Sequence, residues 1–393
     1  MTADRDRYAV ASRANVPPFH VMDLLAAAGQ RQRTHGDMVN FVAGQPSSGA
    51  PGPVTAEAIR LLQSPDPLGY TVAAGIPELR EAIAGHHRRR HGIDVSPDDV
   101  VVTTGSSGGF LLAFLAAFEV GDKVAMARPG YPCYRNVLTA LGCEVVEIPC
   151  GSATRFQPTV EQLDELHRQD PIKGVVVASP ANPTGTMLLP EELAAIARWC
   201  EERGVQLVSD EIYHGVEYSP GSSRSAWETS REAIAFGSFS KYFSMTGWRI
   251  GWMLVPERLR RAVDVLTGNF TICPPAIAQR AALAAFTDES YAELDGHVRR
   301  YAGNRALLLD ALPRMGIDKL APADGAFYVY ADVDHLTDDS MAFCHRLISE
   351  TGVAVAPGID FDTAEGHHTI RLSFAGSEAE IRTGLERLSA WLV

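Results

Sequence analysis

The chain has 393 residues, 46% of them hydrophobic and 21% charged, with 35 Lys and Arg against 48 Asp and Glu for a formal charge of −13. That is ordinary globular material, enough for two or three domains of about 100–200 residues each. The acidic excess argues against a nucleic-acid partner, because such binding draws on Lys and Arg neutralising phosphates. The one basic exception, Arg88-Arg89-Arg90-His91, reads as a solvated helix end. No apolar run approaches the ~18 residues of a membrane span, and Met1-Thr2-Ala3-Asp4-Arg5-Asp6 lacks the apolar stretch of a secretory signal. Six cysteines without a CxxC pair or a zinc-type histidine spacing read as reduced, buried thiols of a cytoplasmic protein that holds no metal.

Taken in chain order, the first 48 residues form an N-terminal arm and part of a smaller domain. From residue 100 onward, Val-rich runs alternate with helical patterns. Strands are expected at 100–103, 123–127, 144–148, 174–178, 206–209, 233–238 and 249–255, with helices at 107–118, 131–141, 159–169 and 190–203. Continuously apolar strands are those covered on both faces, and strand–helix alternation implies a largely parallel sheet. Residues 274–310 read as one long helical spine between domains, weakened only at Gly296 and Gly303. Beyond it, alternating strands at 326–331 and 369–374, with helices at 339–350 and 377–391, form a smaller α+β unit. The expected division is 1–48, 49–300 and 301–393.

Ligands of parallel sheets sit at the carboxyl ends of the strands, so the residues after each strand carry the argument. Gly105-Ser106-Ser107 opens a helix and offers backbone amides and hydroxyls to an anion. Asn182 stands in Ser179-Pro180-Ala181-Asn182-Pro183-Thr184-Gly185. Asp210 follows the apolar Leu207-Val208 and requires a cationic partner at that buried edge. Lys241 closes Ser238-Phe239-Ser240-Lys241, eight residues before Arg249. Such a lysine suits a lowered pKa and Schiff-base chemistry. Two short patterns point elsewhere. Gly105-Ser106-Ser107-Gly108-Gly109 satisfies GxSxG, with Asp210 or Asp332 and His367 as triad partners, and Ser238 to Lys241 satisfies SxxK. Neither has its accompanying HGGG or Lys-Thr-Gly element.

In this order, Asn-Pro-Thr-Gly, Asp-Glu-x-Tyr, Ser-x-Ser-Lys and Gly-Trp-Arg-x-Gly resemble the class I/II aminotransferases of pyridoxal-phosphate fold type I, over about Ala14 to Val393. The pattern is most similar to the branch of bacterial aspartate and broad-specificity enzymes. The resemblance implies an α/β fold whose large domain holds a mostly parallel seven-stranded sheet flanked by helices, with a smaller α+β domain beside it. It implies pyridoxal 5'-phosphate as cofactor and ping-pong transfer of an amino group between an amino acid and a 2-oxo acid.

By the same resemblance, Lys241 forms the Schiff base with the cofactor and shuttles the proton. Asp210 pairs with the ring nitrogen, Tyr213 and Asn182 reach the 3' oxygen, and Tyr131 stacks on the ring. Gly105, Ser106, Ser107, Ser238, Ser240 and Arg249 surround the phosphate. Arg371 takes the substrate carboxylate, against the bland alternative of a solvated edge-strand arginine, and the Gly44 backbone approaches the same group. Tyr70 reaches the phosphate of a neighbouring subunit, which makes the working unit a homodimer with shared sites.

A dicarboxylate substrate needs a second cation. The triplet Gly105-Ser106-Ser107 has no lysine, and Gly268-Asn269-Phe270-Thr271 has no arginine. The expected pocket walls Val16, Pro17, Phe19, Phe270 and Phe327 are apolar. The sequence therefore favours neutral aliphatic or aromatic amino donors with pyruvate or 2-oxoglutarate. Aspartate, met by Arg371, Arg135 or His20, and β-elimination on the same scaffold are the alternatives.

Overall fold

The computed structural model describes residues 9–219 and 223–392; the Met1–Asp6 segment lies outside them. In chain order its elements begin with α1 (His20–His35), β1 (Val39–Asn40), α2 (Gly52–Gln63), α3 (Pro77–His91), β2 (Val100–Thr103) and α4 (Gly105–Ala117). Then come β3 (Lys123–Arg128), α5 (Pro132–Leu141), β4 (Glu144–Pro149), α6 (Val160–Gln169), β5 (Gly174–Ala178), α7 (Pro190–Arg203), β6 (Gln206–Asp210), β7 (Ile234–Ser238) and β8 (Gly251–Leu254). The last part holds α8 (Glu257–Phe270), α9 (Ala276–Ala282), α10 (Asp288–Arg314), β9 (Tyr328–Asp332), α11 (Ser340–Thr351), β10 (Val353–Ala354), β11 (Ala356–Pro357), β12 (Thr369–Ser373) and α12 (Glu378–Leu392).

The seven expected strands make one sheet in the order β2-β8-β7-β6-β5-β3-β4. Only β8 runs against its neighbours β2 and β7; the remaining pairs are parallel. Every residue of β2, β6, β7 and β8 is buried, because helices cover both faces of a sheet built by crossovers. The edge strand β4 is only half-buried. The carboxyl ends of β2, β5, β6 and β7 converge on one rim, where the sequence motifs lie.

A second sheet, β11-β12-β9, is antiparallel. The N-terminal residues pack on this part of the chain: β1 pairs with β10 in a separate two-stranded parallel sheet, α1 packs on α11, and α12 packs on β1 and α10. β12 is the central strand of its sheet and is buried throughout. That removes the solvated edge-strand reading of Arg371, which is 2% exposed.

Two further expectations are corrected. The spine over 274–310 is broken: α9 ends at Ala282, a 3-10 turn covers Leu283–Phe286, and α10 starts afresh. The physical cause is Thr287, whose hydroxyl accepts from Ser290 N at 3.2 Å and caps the new helix. The basic run ending α3 is only partly solvated. Arg88, Arg89 and Arg90 pair with Asp94, Asp288 and Asp295, but the His91 side chain is 4% exposed and turns inward against His214, ring centroids 4.9 Å apart.

Candidate active site

A cavity of about 370 Å³ opens at the rim of the large sheet. Eleven of the expected site residues line it: Gly44, Ser106, Ser107, Tyr131, Asn182, Asp210, Tyr213, Ser240, Lys241, Arg249 and Arg371. They come from seven separate chain segments, and the strand ends gather them.

The anion end is built around Gly105. The chain turns from β2 into α4 through this residue at φ +67°, a left-handed conformation that glycine adopts without penalty. A Cβ there would fall 2.3 Å from Arg249 Nη2, so the missing side chain is what lets the guanidinium lie against the first turn of α4. Ser106 and Ser107 sit in that turn, where amides without helical partners and the helix dipole favour an anion. Arg249 itself donates to Thr246 O at 3.0 Å. Ser238 lies behind this surface at the end of β7, its hydroxyl accepting from Ser240 N at 3.0 Å. A glycine-lined turn, two serines, a helix start and a guanidinium fit a phosphate monoester.

At the opposite end, Asp210 terminates β6 and is 3% exposed. Its Oδ1 accepts from Ile212 N at 3.1 Å, and its Oδ2 accepts from the Tyr134 hydroxyl. Burial pushes its carboxyl up to about 6, while the Tyr134 bond, the Ile212 amide and the Lys241 charge restrain the rise. A carboxylate held in this way fits a cationic ring nitrogen.

Lys241 stands between these two ends. Burial, then the charges of Arg371 and Arg249, push its ammonium down to about 8, with Asp210 opposing. Its Nζ donates to Gly44 O at 2.6 Å and lies 5.3 Å from the Tyr213 ring centroid. An amine with that pKa is about half neutral at pH 8, far more than an ordinary lysine, and the neutral amine is the form that attacks an aldehyde.

Arg371 is fixed from three sides. Nη1 donates to Asn182 Oδ1 at 2.8 Å and Nη2 to Val42 O at 2.7 Å. Its guanidinium carbon is 4.4 Å from the Tyr328 ring centroid and 4.8 Å from that of Phe361. Its buried Nε has no partner. A stacked fork with unused donors is suited to a carboxylate.

Two of the named residues lie elsewhere. Tyr70 is 84% exposed, next to Thr71, whose amide contacts Cys273 Sγ at 3.4 Å. Phe327 is fully buried behind Tyr213, ring centroids 5.5 Å apart. Among the expected walls only Phe19 lines the cavity; Val16 and Phe270 are exposed. The apolar lining comes instead from α1, through Val21, Met22 and Leu25.

Three tyrosine and glycine contacts extend the site beyond the motifs. Tyr134 holds Asp210, and Tyr328 exchanges a hydrogen bond with Tyr213 between hydroxyls 2.7 Å apart. Gly44 admits the Tyr328 hydroxyl, which would be 2.4 Å from a Cβ at that position. Tyr134 stands three residues after Tyr131 and Tyr328 directly after Phe327, so both were adjacent to named residues. Nothing in their spacing distinguishes them from core tyrosines. No histidine lines the cavity among the described residues, which leaves Ser107 without a triad.

A lysine, an aspartate and an arginine around one cavity, beside an anion cradle, define an enzyme that handles amino and carboxylate groups together. The family model for aminotransferase class I and II matches residues 36–388, and the chain belongs to that family. It is 65% identical to the valine–pyruvate aminotransferase of Mycobacterium tuberculosis over 98% of each chain. It is 36% identical to the aspartate/prephenate aminotransferase of Thermus thermophilus over 95% of each. The crystal structure of an aminotransferase from Mycobacterium tuberculosis, 64% identical, superposes with a TM-score of 0.95 over 98% of this chain and 99% of that one.

Proposed function

We propose that this aminotransferase uses pyridoxal 5'-phosphate, held at Lys241, to move the amino group of a neutral aliphatic L-amino acid of the valine type to pyruvate or a similar short 2-oxo acid. The observation that carries the substrate reading is the charge inventory of the cavity. Among the described residues its charged lining groups are Asp210, Lys241, Arg249 and Arg371. Each has a task at the cofactor or the α-carboxylate, and none remains for a distal carboxylate. Arg135, considered for that task, is committed to Glu147 at 2.9 Å and to Asp360 O at 3.2 Å. Phe19, Val21, Met22 and Leu25 offer an aliphatic side chain an apolar wall. The valine–pyruvate activity named for the 65% identical relative points the same way.

When bound, the cofactor supplies an aldehyde and an electron-withdrawing ring that acidify the substrate Cα–H bond. The protein does the rest. Arg371 and Asn182 would orient the α-carboxylate so that the Cα proton faces Lys241 Nζ, the base that would take up that proton and give it back. Asp210 would pair with the ring nitrogen and hold a positive charge there. The Tyr213 hydroxyl and Asn182 would hold the ring oxygen, and Tyr131 would cover a ring face. Arg249 and the start of α4 would anchor the phosphate.

The division into 1–48, 49–300 and 301–393 is part of this reading, with the segment 301–393 and the N-terminal arm carrying Arg371 and α1 to the large sheet. So is a homodimer. Tyr70, Val72, Phe270 and Ile272 are each at least 50% exposed, and the Thr71–Cys273 contact joins their two segments, so they form one apolar patch suited to a second copy. Six free cysteines suit a reducing cytoplasm. No helix among the described residues is long and apolar enough to cross a membrane.

A steady-state panel of amino donors tests the substrate. Valine and other aliphatic donors are expected to exceed aspartate in kcat/KM. A preference for aspartate above about a hundredfold, roughly 2.7 kcal/mol, overturns the neutral-pocket reading.

A further inference from the structure

We propose that Tyr134 is a positioning residue for the reaction: its phenol keeps the Asp210 carboxylate ionised and aimed at the cofactor ring. The inference rests on the reading of Asp210 as partner of the ring nitrogen, and goes beyond it to a residue outside the motifs.

Tyr134 lies in the first turn of α5 and is 4% exposed. Its ring is wedged between Phe110 and Tyr131, at centroid distances of 5.1 Å and 5.5 Å in edge contacts, and Phe110 is in turn stacked on Phe236 of β7 at 4.0 Å. The hydroxyl is therefore delivered by a rigid aromatic stack rather than by a mobile side chain. It donates to Asp210 Oδ2, while Ile212 N holds Oδ1. The two bonds fix the plane of the carboxylate.

The direction of the bond is not ambiguous. Burial and the neighbouring Asp210 charge raise the Tyr134 phenol well above its ordinary range, so the proton stays on the phenol. The carboxylate is the acceptor. The titratable groups facing Asp210 are Tyr134, Tyr131 and Cys133 near the start of α5, Glu211 and Tyr213 beyond its own strand, and Lys241 after β7. Of these, Lys241 and Tyr134 favour the charged form. Lys241 acts on Asp210 through its charge alone and would give that charge up in binding the cofactor, whereas Tyr134 is, among the described residues, the side chain that donates a hydrogen bond to Asp210.

The test is the affinity of the cofactor-free protein for pyridoxal 5'-phosphate, followed by absorbance between pH 5 and 9, in wild type and Tyr134→Phe. In wild type the affinity falls on the acid side as Asp210 takes up a proton. Loss of a charge-assisted donor is expected to move this limb up by about one to two pH units, with the two curves converging at high pH. The titration of the cofactor phosphate is common to both proteins and cancels. Incorporating 3-fluorotyrosine at position 134, a stronger donor of nearly the same shape, should move the limb the other way. Loss of affinity by the same factor at every pH, or an unmoved limb in both variants, overturns the proposal. If Tyr134→Phe does not fold, the fluorotyrosine protein decides alone. A wild type that binds no pyridoxal 5'-phosphate would instead overturn the cofactor reading, a distinguishable result.

Discussion

Lys241 and Arg371 illustrate how one buried location imposes opposite outcomes on two cations. The lysine has a titratable amine, so burial and the two arginine charges lower its pKa to about 8; a guanidinium remains charged at any working pH. In the proposed function the first serves as the nucleophile and the second as a permanent anchor. Capture of the cofactor by cofactor-free protein requires the neutral amine, so its rate should rise with pH and level off above about 8, measured by stopped-flow absorbance. Lys241→Ala should lose the visible absorption and the borohydride-trapped adduct that wild type shows. Arg371→Lys keeps the charge but loses the fork and the stacking. It should lower kcat/KM for amino acid and 2-oxo acid alike by about ten- to a hundredfold, the worth of one or two charge-assisted hydrogen bonds, while leaving the cofactor spectrum unchanged.

Elements meet at the site through close approaches that tolerate no added atom. β9 brings Tyr328 against Gly44 and Tyr213, and the Gly44 Cβ position is 2.4 Å from the Tyr328 hydroxyl. Gly44→Ala must displace that hydroxyl and with it the bond to Tyr213. Activity should fall, and adding Tyr328→Phe, which removes the obstructing oxygen, should recover part of the loss; a double-mutant cycle in kcat/KM measures the coupling. Away from the site, Thr287→Ala removes the cap that starts α10 and should destabilise the fold by about 1 kcal/mol, read from urea unfolding with kcat/KM unchanged. The same threonine is why a single helix over 274–310 looks plausible in the sequence: the apolar pattern continues through it, and only the cap marks a new axis.

For the whole molecule, acid stability is governed by a buried histidine group. His86, His87, His91 and His214 pack together beneath the site. Burial lowers His87, His91 and His214 to about 3 and His86 well below its usual value. A histidine that stays neutral when folded but binds a proton when unfolded removes stability as pH falls from about 6.5 toward 3. Asp210 and Glu211, raised to about 6 and about 7, act in the opposite sense above about pH 4. Four histidines outweigh two carboxyls, so the urea midpoint should drop between pH 6.5 and 4.5. His91→Gln should make that slope shallower by about 1.4 kcal/mol per pH unit. At the same scale, Tyr70→Ala should weaken cofactor binding and dimer association together, measured by absorbance titration and sedimentation.

The chemistry was legible in the chain because it is local. Asn182, Asp210 and Lys241 stand at or just after the ends of β5, β6 and β7, whose continuous apolar pattern marks them as central, and Arg249 stands just before β8; strand ends of a parallel sheet face one rim. The seven-stranded sheet was legible for the same reason. What distant packing decides was not. Arg371 looked equally like a solvent-facing edge residue until β9 and β11 enclosed its strand. The apolar wall moved from Phe327 and Phe270 to one face of α1, because a helix docks by its tertiary partners and not by the residues next to it in sequence. Tyr134 and Tyr328 acquire their roles only from the oxygen each hydroxyl meets, 76 and 115 residues away along the chain. A side chain's type is written in the sequence, whereas its partner is chosen by the fold.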